Sequence, residues 1–127
     1  MVIVYESNKS IEEVCAAMEP AVHKHKFGVM TTHNLKETMA KKGVDFDKEC
    51  LIFEICNPHQ AKKVLDSRLE VSSALPCRVS VYREGGRVKI ATLRPTVMLA
   101  AFNAPELAPV AQEVEDVILS IMKEVAG

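Results

Sequence analysis

No apolar run in the chain approaches the roughly 20 residues that cross a bilayer, so no membrane span is expected. The strand-like Val2-Ile3-Val4-Tyr5 follows Met1 directly where a secretory leader would carry basic residues, and a cytoplasmic protein is expected. Excess charge of one sign is also missing. At a net charge of -1 nothing draws the chain as a whole to phosphate backbones, which excludes nucleic acid as an expected partner. The four cysteines, Cys15, Cys50, Cys56 and Cys77, form no C-x-x-C pair, and free thiols in a reducing compartment are expected rather than disulfides. A phosphate-binding glycine loop, an H-E-x-x-H pair and a G-x-S-x-G elbow are all lacking, so no cofactor is expected and several large enzyme classes are set aside. Repeats, charge blocks and low-complexity linkers are absent too, and residues 1–127 read as one domain.

What is present suffices for a folded core. A hydrophobic fraction of 48% and a charged fraction of 26% exclude a disordered chain, and 127 residues can bury one sizeable core. Ser10 with Glu13 forms an S-x-x-E capping box, behind which Ile11, Val14, Cys15, Met18 and Val22 recur at helical spacing. Pro20 removes a backbone donor inside that helix and predicts a bend or a division there. Phe27 to Thr32 reads as a second strand, and Asn34 to Lys42 as a short helix or loop ending at Gly43.

From Cys50 to Cys56 a two-residue period puts Leu51, Phe53 and Ile55 on a core face. Asn57, Pro58 and Gln60 then supply an N-cap, a first-turn proline and an N3 acceptor for a helix running to about Arg68. Cys77 to Arg83 and Arg87 to Leu93 flank Glu84-Gly85-Gly86 and predict a β-hairpin. Val97 to Phe102 fits either a buried extended segment or a short helix. Asn103 and Glu106 are suited to cap a last helix whose apolar stripe is Leu107, Val110, Val114, Val117, Ile118, Ile121 and Val125, with Glu113, Glu115, Asp116 and Glu124 facing water. The predicted fold class is α+β: a single mainly antiparallel β-sheet with helices packed on one face, in the approximate order β-α-β-(α)-β-α-β-β-α.

Two segments, Leu51 to Pro58 (LIFEICNP) and Leu75 to Val88 (LPCRVSVYREGGRV), resemble the domain-of-unknown-function family 302. The first is similar to that family's strand ending in Asn-Pro, with Cys56 where glycine is typical, and the second to its Leu-Pro step and hairpin. The resemblance extends over Val2 to Leu93. It implies a compact α+β domain that forms a homodimer, with no established reaction.

Chemistry is sought where the alternation leaves the core. Cys50, Ile52, Glu54 and Cys56 face away from it, and Arg78, Ser80 and Tyr82 take the same side if their strands pair. Glu54, Cys56, Asn57, Ser80 and Tyr82 are therefore the candidate ligand-binding residues. That side is open to three readings: solvated sheet, dimer surface or ligand groove.

Cys56 precedes the helix capped by Asn57, whose free N–H groups favour a thiolate, and His59 is the nearest base, so these two are the catalytic candidates. Whether any reaction is catalysed stays open. Cys56 and His59 also make a C-x-x-H pair that His33 or Cys77 would have to complete as a metal site. Arg78, Lys89 and Arg94 are either an anion site near Tyr82 or solvated edge charges. His23 and His25, two apart on a helix, are expected to face solvent. The function expected is a non-catalytic small-ligand-binding or interaction domain acting as a dimer. The alternatives are a thiol-dependent enzyme or sulfur carrier using Cys56, and a small metal-binding protein.

Overall fold

A computed structural model describes residues 1–127. The chain runs β1 (Val2–Ser7), α1 (Ile11–Lys24), β2 (Gly28–Asn34), α2 (Leu35–Lys41), β3 (Cys50–Cys56), α3 (Pro58–Ser67), β4 (Cys77–Glu84), β5 (Arg87–Leu93), α4 (Pro95–Ala100) and α5 (Ala108–Ala126). Two 3-10 segments, Leu69–Ala74 and Pro105–Leu107, were not foreseen. The five strands make one antiparallel sheet in the order β1-β5-β4-β3-β2, so the first two strands of the chain lie on opposite edges.

Local chemistry places most boundaries. Ser10 and Glu13 close the capping box of α1, satisfying donors that the first turn leaves free. The hairpin β4–β5 turns on Gly85 and Gly86, both at positive φ, a conformation that costs glycine nothing. Asn57 caps α3: its Oδ1 accepts from the N–H of His59 at 2.9 Å and of Gln60 at 3.1 Å, while its Nδ2 donates to the Lys26 carbonyl at 3.1 Å.

The sheet has two unlike faces. Phe53 and Ile55 of β3, Val79 and Val81 of β4, and Val88 and Ile90 of β5 are buried against Met18 and Val22 of α1 and Ile118, Ile121 and Met122 of α5. Burial of such side chains stabilises the fold by roughly 1.5–3 kcal/mol each. The alternate residues, among them Val2, Val4, Ile52, Glu54, Ser80, Tyr82, Lys89 and Leu93, belong to no part of that core. No helix of the structure is long and apolar enough to cross a membrane.

Several expectations are corrected. Helix α1 continues through Pro20 to Lys24 without division. Strand β2 begins and ends later than Phe27 to Thr32, and Met30 is an extra residue at which its register with β3 shifts. Of the two readings of the segment after Pro95, the short helix holds, over Pro95–Ala100. Neither Asn103 nor Glu106 caps α5, because Asn103 sits in a left-handed turn at φ 53° and Glu106 lies in the 3-10 segment. His25 turns toward α5 and lies 3.5 Å from Glu124 instead of facing solvent.

Glu115 does not face water. It is 5% exposed, and Oε1 accepts from the N–H of Thr96 at 3.2 Å and from its hydroxyl at 2.7 Å, while Oε2 lies 3.3 Å from Arg94. A carboxylate of α5 thereby caps α4, whose own preceding residue offers no side-chain cap.

Candidate functional site

Strand register decides which candidates meet. Glu54 pairs with Arg78 across β3 and β4 and with Thr31 on β2, and the same face holds His33 opposite Ile52 and Ser80 opposite Ile52 from the other side. Glu54 Oε1 stands 3.1 Å from His33 Nε2 and 3.4 Å from Arg78. The carboxylate is only 17% exposed, so both partners act on a charge largely withdrawn from water. Ser80 is next to Ala91 of β5, and Tyr82 lies between Cys50 and Lys89 at the far end of the face. Glu54, Ser80 and Tyr82 thus share one open surface. Cys56 ends the same strand, and Asn57 has its side chain committed to Lys26 and the first turn of α3.

The thiols carry no sign of activation. Burial pushes the Cys56 and Cys50 thiols up, the direction opposite to that which a nucleophile needs. Cys77 is pushed up to about 11 by burial, with Cys56 adding to the effect, and Cys15 to about 11 by burial and then by Glu12 and Glu49. His59 is exposed, and its backbone N–H is held by Asn57. No group of three or more His, Cys, Asp or Glu side chains gathers where a metal ion would fit, so Cys56, His59, His33 and Cys77 do not meet as a ligand set.

Of the two readings of Arg78, Lys89 and Arg94, the anion site is not assembled. Arg78 faces Glu54, Lys89 faces Glu84 at 2.9 Å and Arg94 faces Glu115, so each cation already has a carboxylate. Sequence reasoning put Arg78 on the face of Glu54 but did not join His33 to it. The register shift at Met30 is what brings His33 beside it.

Residues 3–125 match the domain of unknown function DUF302. The chain belongs to that family. The match passes Leu93 and takes in α4 and nearly all of α5, which extends the resemblance seen in the β3 and hairpin segments. A crystal structure of an uncharacterized conserved DUF302 protein from Bacillus stearothermophilus is similar at 28% identity and a TM-score of 0.91, covering 99% of this chain and 98% of that one. No curated protein matches. The DUF302 chain described here thus shares its fold over essentially its whole length with that relative.

Proposed function

We propose that this DUF302 protein is a non-catalytic binding domain acting as a homodimer, which pairs through the open face of its sheet and holds a small polar ligand against Glu54, Ser80 and Tyr82. The observation that carries the reading is the composition of that face. Val2, Val4 and Leu93 are 58%, 44% and 45% exposed on neighbouring strands, a cluster of β-branched and aliphatic side chains that water disfavours. Beside them stand charges of both signs, Glu6 with Arg87 and Glu54 with Arg78.

A two-fold axis brings the same patch of both copies together, so an interface of this kind must be complementary to itself. Apolar residues flanked by carboxylates and guanidinium groups meet that condition, and stacked sheets about 10 Å apart leave room between them for a small molecule. Cys56 and Asn57 mark the end of the groove where β3 passes into α3. In sedimentation velocity the protein is expected at twice the 14.0 kDa chain mass, and Val4→Glu with Leu93→Glu is expected to return it to the monomer. A thermal-shift screen of polar metabolites is expected to find a stabilising ligand. A strict monomer that responds to no ligand would overturn the reading.

A further inference from the structure

At the end of the sheet where Leu93 closes β5, two hollows adjoin beneath the turn that enters β4. The outer one, of about 200 Å³, lies between that turn, the end of β5 and Met98 of α4. The inner one, of about 40 Å³, reaches down to Gln60 of α3. Leu75, Cys77 and Met98 line both. We propose that together they form a binding site for a neutral, ring-sized, largely apolar molecule that supplies its own hydrogen-bond donor.

Size sets the first limit. An apolar cavity of roughly 150 Å³ accepts a benzene ring, so the outer hollow has room for one substituted ring and the inner for a single small group at its tip. Polarity sets the second. Ser73 Oγ gives its proton to the Glu70 carbonyl at 2.8 Å, and Thr92 Oγ1 gives its proton to the Arg78 carbonyl at 2.8 Å. The Gln60 amide donates from Nε2 to Glu113 at 3.0 Å, a contact that fixes which end of the amide is nitrogen. Gln60 Oε1 is left buried with no donor in reach.

The protons of the hydroxyls and of the amide group facing Glu113 are committed elsewhere, and lone pairs remain on Ser73, Thr92 and Gln60. A guest is therefore selected for a donor. An ordered water is a poor substitute, since it needs two to four polar partners and the inner hollow is walled mainly by Phe27, Ile55, Val64, Leu99 and Val114. Charge is not demanded, because Arg78, the cation at the mouth, already faces Glu54.

The site goes beyond the proposed dimer: the groups that select the guest, Gln60 of α3, Ser73 of the 3-10 segment and Thr92 on the core face of β5, lie off the pairing face, which the lining reaches at Arg78 and Leu93. Phenol and toluene are matched probes: both fill the space of one ring, and only phenol donates. With the methionine methyl groups labelled by carbon-13, titration with phenol is expected to shift the Met98 resonance saturably. Gln60→Leu is expected to weaken phenol about tenfold and to leave toluene unchanged, since only phenol loses the acceptor. Gln60→Met serves the same comparison should leucine disturb α3. An unmoved Met98 resonance with phenol in the wild-type protein overturns the proposal. A phenol-to-toluene affinity ratio unaffected by either substitution overturns the donor requirement. Repeating the titration on a Val2→Glu, Val4→Glu protein, which keeps Leu93 in the wall of the outer hollow, separates this site from the pairing of two copies.

Discussion

Replacing Glu115 by alanine removes the one acceptor that holds α4 against α5. Three groups lose their partner: the Thr96 N–H, the Thr96 hydroxyl and the Arg94 guanidinium. Hydrogen bonds to a charged acceptor contribute about 1.5–3 kcal/mol each, yet Thr96 and Arg94 are only half-buried, so water recovers much of that. The arginine contact, on a partly exposed side chain, adds at most about 1 kcal/mol.

A net loss of about 3 kcal/mol follows for Glu115→Ala, the two Thr96 bonds supplying most of it. With an unfolding entropy near 2.1 cal/mol/K per residue over 127 residues, that is a fall in Tm of about 11 °C. Glu115→Gln keeps an oxygen for Thr96 and loses the charge, which points to about 1–1.5 kcal/mol, or about 5 °C. Urea denaturation of the three proteins at one fixed concentration measures the series, with an unchanged m-value showing that stability alone has moved. An alanine variant within about 0.5 kcal/mol of the parent would show that water replaces the carboxylate freely, and the reasoning fails.

Two further outcomes are expected. Asn57→Ala strips the cap from α3 and the tie to Lys26, and should cost about 1–2 kcal/mol in the same denaturation assay; a neutral change would refute the capping role. Cys15 and Cys77, held near 11 against an ordinary 9.0, should be alkylated about a hundredfold more slowly at pH 8 in the folded protein than in urea, because only the thiolate reacts. Their ionisation is linked to folding with a definite sign. The unfolded thiols lose protons first, so this contribution to stability is complete below pH 9 and is lost as the pH rises toward 11. Stability that holds level from pH 9 to 11 would contradict it.

Features written in neighbouring residues were legible in the sequence. The Ser10–Glu13 box, the Asn57–Pro58 helix start and the Gly85–Gly86 turn each complete their chemistry within about four residues, and the alternation of Cys50 to Cys56 needs only a strand to act on. What escaped depends on partners distant in the chain. Glu115 falls at helical spacing with Ala111, Ile118 and Met122, all buried, but its charge points to water, and only Thr96 and Arg94, distant in the chain, account for its burial. Six residues of α4 are too few to show a period. In the candidate site, the alternation put Glu54 and Ser80 on one face. The pairing of Glu54 with His33 requires a one-residue shift at Met30, which nothing local to β2 announces.

The placement of β1 on the sheet edge beside β5 has a consequence for how the molecule is made. Val2 lies opposite Leu93, so β1 leaves the ribosome before every other strand of this sheet and cannot pair until β5 has followed it. Meanwhile the β4–β5 hairpin closes locally, and β3 can add to it across a short stretch of chain. The nascent protein therefore carries a strand rich in valine and isoleucine with its ladder groups unmet until the hairpin arrives to receive it, an edge open meanwhile to pairing with other chains.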